Sequence, residues 1–274
     1  MPSIKSVLLG TAALLASTSA HAVSIPSLPA AGKFSVTPSV GTAFTVGGDF
    51  VKSGAETVAG SGTFGGTTVT GSGTITVGSK SFDDVYNTPI SLGLAGNYGL
   101  TNSDSVSLEF NWLHADGKTF DAGTSSFNGT INGVAVTASG AFQAKFDNYN
   151  EARLALGYRH FISLSNSSIH PFIGASFGGA HTDSIGVDLS EGGTNIGKIA
   201  FFGSGWTLTG GLEAGARVDF SPSLAVGLAT GVRYTDKLSS NHSDLTGDAG
   251  TIDSVNSGGS RWDIPVMLEV TKSF

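Results

Sequence analysis

Alternation of apolar with small or polar residues, held for about ten residues at a time, constrains this chain more than any other feature. It recurs in eight segments. In Lys33–Phe44 the apolar set is Phe34, Val36, Pro38, Val40 and Phe44, with Ser35, Thr37, Ser39 and Gly41 between them. Pro89–Leu100 carries Ile90, Leu92, Leu94, Tyr98 and Leu100; Ser105–His114 carries Val106, Leu108, Phe110 and Trp112; Tyr149–Phe161 carries Ala152, Leu154, Leu156 and Tyr158. The second half continues with Ile169–Ala180, Trp206–Phe220, Leu224–Asp236 and Arg261–Phe274. Side chains on a strand point alternately to its two faces. One face of every segment is therefore apolar and the other small or polar. No competing helical period is present, so the prediction is all-β.

The connections alternate in length. Thr101–Asp104, Ile162–Ser168 and Ser221–Ser223 are short and built from turn-forming Asn, Ser, Asp and Pro. Long segments at roughly 45–88, 115–148, 181–204 and 237–260 lie between them. Short turns on one side and long loops on the other are the pattern of an up-and-down barrel in an outer membrane. Eight strands would put both chain ends on the turn side. Aromatic and apolar residues gather at the strand ends: Phe34, Leu100, Phe220 and Phe274 on the turn side, and Phe44, Trp112, Trp206, Tyr234 and Trp262 on the loop side. This is the expected pair of interfacial belts.

The first residues read as a secretory signal. Lys5 supplies positive charge, Val7–Ala16 a short apolar run, and Ala20-His21-Ala22 a small-x-small site, with cleavage expected after Ala22. The predicted division is 1–22 signal peptide, 23–32 short periplasmic segment and 33–274 barrel. Beyond the signal no apolar run reaches the ~20 residues of a membrane helix. A chain of this kind crosses lipid only as a closed barrel, which satisfies every backbone group. Charged residues are 13%, Gly numbers 40 and Cys is absent, which excludes disulfide and thiolate chemistry. A net charge of -7 argues against nucleic acid as a partner, which requires a basic stripe.

Two of the long loops carry β signals of their own. Thr63–Thr76 alternates Thr, Val and Ile with Gly, and Thr130-Ile131-Asn132-Gly133-Val134-Ala135-Val136 has an Asn-Gly turn between β-formers. These segments extend the barrel above the membrane or add wall strands, making ten or twelve.

The run Pro171-Phe172-Ile173-Gly174-Ala175-Ser176-Phe177-Gly178, the strand Val226-Gly227-Leu228-Ala229-Thr230-Gly231-Val232-Arg233-Tyr234 and the terminal strand to Phe274 resemble the small outer-membrane β-barrel superfamily of opacity-protein and OmpA-barrel type. The resemblance covers nearly the whole mature chain, through patterns rather than invariant residues. It implies that Val270 and the terminal Phe274 form the signal read by the outer-membrane insertion machinery. Lys272 departs from the pattern by standing where an apolar outward residue is expected. Unlike full-length OmpA proteins, the chain is expected to carry no peptidoglycan-binding domain.

The inward positions hold Glu109, Glu151, Arg153, Glu213, Arg217, Arg233 and Glu269. Charges inside a narrow barrel must pair, and counting from the turns places Glu109, Arg217 and Glu269 low and Arg153, Glu213 and Arg233 nearer the middle. They form either a salt-bridge plug or an ion path. The five histidines beyond the signal show no ligand spacing, so no metal, cofactor or catalytic set is predicted. His160 has Ser163 and Ser165 close in sequence but no evident carboxylate partner. The expectation is a structural or surface-interaction protein acting through its external loops. A small-solute porin-like channel is second, and a lipid-modifying enzyme third. Expected partners are outer-membrane lipid and lipopolysaccharide, the insertion machinery, and a host or surface ligand at the loops.

Overall fold

The computed structural model describes residues 29–164, 168–240 and 255–274. The signal sequence, with Ala20 and Ala22, and the loop residues Ser165 and His242 lie outside the described residues.

Eight strands form a closed antiparallel barrel. They are β1 (Phe34–Gly47), β6 (Ile90–Gly99), β7 (Asp104–Ala115), β10 (Tyr149–Phe161), β11 (Ile169–Thr182), β14 (Gly205–Ser221), β15 (Leu224–Thr235) and β16 (Arg261–Ser273). Each pairs with its neighbour in chain order, and β1 pairs with β16 through matches such as Val40 with Leu268. The Phe274 amide donates to the Phe34 carbonyl at 3.0 Å, fastening the last residue to the first strand.

The alternation follows from the two media. Leu156, Phe177 and Leu212 are 65–69% exposed on the outer wall, where only lipid suits them. Trp112, Trp206 and Trp262 stand outward at the loop-side ends, and Phe34 stacks at a tilt on Tyr98 at the turn side. Val270 is half-buried on the outer wall and Phe274 is exposed. Lys272 also faces outward, and its Nζ donates to Ser223 Oγ at 2.8 Å in the β14–β15 turn. Its charge is thereby held at the rim, as expected of a snorkelling lysine.

The remaining strands lie outside the barrel wall. Three hairpins rise from the first three long loops: β3 (Gly54–Phe64) with β4 (Thr67–Val77), β8 (Thr119–Ile131) with β9 (Val134–Phe146), and β12 (Ile185–Glu191) with β13 (Thr194–Phe202). They join into one six-stranded sheet in the order β13-β12-β9-β8-β4-β3. This corrects the ten- or twelve-strand alternative: the hairpins pair with one another and add nothing to the wall. The Thr63–Thr76 stretch belongs to a hairpin, with Gly65 and Gly66, at φ 55° and 82°, turning the chain inside it. The Asn-Gly turn lies where the sequence places it, with Asn132 at φ 52° and Gly133 at φ 79°. The third hairpin, turning on Gly192-Gly193, escaped the sequence reading.

A small pair, β2 (Asp49–Val51) with β5 (Lys80–Ser81), and one helical turn α1 (Phe82–Val85) complete the described elements. Ser81 and Asp84 form a capping box: Asp84 N donates to Ser81 Oγ at 3.3 Å, and Ser81 N to Asp84 Oδ2 at 2.8 Å. The backbone and side-chain hydrogen bonds from Ser81 hold the Asp84 carboxyl below its ordinary value.

Candidate functional site

The lumen is filled by side chains from alternate positions of the barrel strands. Its centre is Arg159 of β10. The guanidinium donates to Glu269 through two 2.7 Å bonds and to Glu213 at 2.5 and 3.2 Å. It also lies 4.6 Å over the Phe172 ring. Two-pronged pairing of this kind is the strong form of a carboxylate hydrogen bond. Glu109 stands nearby and accepts from Ser107 Oγ at 2.7 Å. A Cβ on Gly157 would strike both Glu109 and Ser107, so the absence of a side chain there makes the room.

Towards the turns, Arg217 pairs with Asp219 at 3.0 Å and covers the Phe161 ring at 4.3 Å, while His170 meets Asp219 at 3.1 Å. Towards the loops, Arg153 and Arg261 both bind Glu151, the latter at 2.7 Å. Arg261 also reaches Asp263 at 2.9 Å and donates to the Tyr149 hydroxyl at 2.6 Å. All four charged members of this cluster are 1–3% exposed.

Each of the seven charges named from sequence lies in the lumen or its lining, but the pairing differs from the heights counted from the turns. Arg217 does not meet Glu109 or Glu269; it meets Asp219. Arg153 meets Glu151 and Asp263 rather than Glu213. Arg233 lines the central cavity and pairs with none of the described carboxylates. Barrel strands tilt and stagger, so equal counts from the turns do not mean equal heights. Arg159, Asp219, Arg261 and Asp263 were missed, although each shares the inward parity of a residue that was named. The lumen holds a central cavity of about 50 Å³ and a lower one of about 20 Å³, with Arg159 and Glu269 lining both.

Above the ion pairs sits an aromatic cap. Phe50 packs edge-on against Phe82, Tyr86, Phe146 and Phe202, with centroids 5.1–5.9 Å apart. Arg261 stacks beneath it, 5.1 Å from Phe82 and 4.9 Å from Tyr149. The capping box that starts α1 delivers Phe82 and Val85 into this cluster. Burial pushes the Tyr86 hydroxyl well above the ordinary phenol range.

The external sheet continues that core upward. Phe142, Ala144 and Phe146 alternate with exposed Gln143 and Lys145 on β9, so one face is apolar and the other polar. The apolar face encloses a cavity of about 260 Å³, lined by residues that include Phe120, Phe142, Val187, Leu189, Ile199 and Phe201.

Outside the lumen, His160 Nδ1 lies 2.9 Å from Asp104, which also accepts from Tyr158 at 2.6 Å. The carboxylate partner that sequence could not supply to His160 is therefore Asp104, from the neighbouring strand. Ser163 is not bonded to this pair among the described residues. No cluster of metal-ligating side chains occurs among the described residues.

No protein-family model matches the chain, and no curated protein does. Among solved structures, the chain is similar to Neisserial surface protein A at 11% identity and TM-score 0.44, covering 88% of this chain and 97% of that one. Ail, the attachment invasion locus protein of Yersinia pestis, matches at 11% identity and TM-score 0.38 over 89% and 99%. OprG from Pseudomonas aeruginosa matches at 15% identity and TM-score 0.34 over 89% and 97%. The assignment rests on the molecule's own surface. Its wall has no open edge, and its outward band of aliphatic side chains ends in aromatic residues at both rims. With lipid the only medium that suits this wall, the chain has the fold of a small, eight-stranded membrane β-barrel of the outer-membrane type.

Proposed function

We propose that the barrel is a closed anchor whose working part is the six-stranded sheet it carries outside the membrane. The observation that carries this reading is the joining of three loops into one hydrogen-bonded sheet. Separate flexible loops would lose conformational entropy on meeting a partner, whereas a pre-ordered sheet presents a fixed surface. Its polar face offers Thr, Ser, Gln143 and Lys145 to water, which suits contact with a host molecule, another surface protein or lipopolysaccharide. The channel reading is opposed by the ion pairs and aromatic cap that occupy the lumen, where the two cavities between the side chains measure about 50 and 20 Å³.

Two measurements test this together. Protein reconstituted in planar bilayers is expected to give no stable ohmic conductance. A chain in which a two-residue turn replaces 54–77 is expected to insert normally, because Gly54 and Val77 are already paired neighbours at the base of that hairpin. Cells displaying it should lose any adhesion, phage or envelope phenotype that the intact protein confers. Large steady channels, or an unchanged surface phenotype in the trimmed chain, would return attention to the lumen and wall.

A further inference from the structure

We propose that the cavity on the apolar face of the external sheet is a binding site for a small neutral apolar molecule taken up from the water outside the cell. This goes beyond the surface-interaction reading and does not depend on it. The cavity measures about 260 Å³. An apolar cavity of about 150 Å³ suffices to hold a benzene ring. The space here therefore suits two fused rings, or an alkyl chain on the order of ten carbons by the same comparison.

The lining chemistry selects the class. Among the described residues, Ser125 and Glu191 are the only polar side chains in it, and they are already bonded to each other at 3.2 Å. A sugar, peptide or phosphate entering this space would give up hydrogen bonds to water and find almost none in return. An aromatic or aliphatic molecule would replace water with the rings of Phe120, Phe142 and Phe201 and the branched chains of Val187, Leu189 and Ile199.

The position selects the source. Every described lining residue belongs to an external element or loop and none to a barrel strand, so a lipid tail would have to leave the bilayer to reach it. The polar pair and two isoleucines from opposite sides of the sheet, Ile75 of β4 at 40% exposure and Ile196 of β13 at 56%, mark the mouth towards solvent. Exposed aliphatic side chains around an apolar hollow are a mark of a binding site rather than of a finished core.

The test uses the full chain in lipid nanodiscs with naphthalene as probe, measured by equilibrium dialysis against empty nanodiscs. Wild type is expected to show saturable uptake of one probe per chain above bilayer partitioning. Ala144→Phe and Ala122→Phe fill the space from adjacent strands, and each should weaken uptake at least ten-fold while keeping heat-modifiable migration. Photolysis of 1-azidonaphthalene on wild type gives a reading that needs no variant: label is expected on the segments holding Phe142 and Val187. Uptake equal to empty nanodiscs, full uptake by either folded variant, or label confined to the lipid-facing wall would each overturn the proposal.

Discussion

Replacing Arg159 by Leu is expected to be among the most damaging single changes in the barrel, lowering stability by about 3–5 kcal/mol, the range for breaking a buried ion pair from one side. Arg159 holds Glu213 and Glu269 with one guanidinium and packs on Phe172. Its loss would leave two carboxylates facing each other in a lumen with space for few waters. Urea unfolding in vesicles and the temperature of heat-modifiable migration both measure this. The variant R159L/E213Q/E269Q should recover much of the loss, because neutral amides remove the repulsion that the leucine exposes. Arg233→Leu provides the contrast. The sequence pattern would give Arg233 an acidic partner and a comparable cost, but no described carboxylate pairs with it, so its removal should cost clearly less. Equal losses for the two variants would mean that stability follows burial of the arginine stem rather than the ion pairs.

The barrel was legible because lipid and lumen impose opposite demands on successive residues. Tyr149–Phe161 has the same bounds in sequence pattern and structure, and the other wall strands differ by at most a few residues at each end. The Asn132-Gly133 hairpin was legible through its turn chemistry. The β12–β13 hairpin was not, because its register shifts twice and β13 does not alternate: Thr194 to Lys198 are exposed at successive positions, while Ile199 to Phe202 are all half-buried or buried. Parity alone could have added Arg159, Asp219, Arg261 and Asp263 to the interior. Their pairing could not be read, since it depends on the stagger of strands distant in sequence. Arg159 and Glu269 are 110 residues apart yet share two hydrogen bonds. The aromatic cap was hidden for a related reason: Phe50, Phe82 and Tyr86 are scattered through the first long loop, Phe146 and Phe202 stand at the ends of strands in the next two, and the rings meet only when the three loops converge.

That convergence makes Phe50→Ala the second large-effect test. Phe50 is 2% exposed and touches four rings drawn from the first three loops. Truncating a buried Phe to Ala costs about 3–5 kcal/mol through lost contacts and the cavity left behind. The loss should fall on the external core rather than on the wall. Barrel closure depends on β1 pairing with β16 and on the ladder of main-chain bonds, neither of which includes Phe50. Expected results are faster trypsin cleavage after Lys52 and Lys80, with the heat-modifiable barrel still resistant. Conductance should remain absent, because the Arg261 and Arg159 clusters fill the lumen beneath the cap. If cleavage stays slow and stability is unchanged, the cap is not what orders the sheet. If cleavage rises and stable channels appear as well, the aromatic cluster is the seal of the lumen, and the ion pairs below it leave a path for ions.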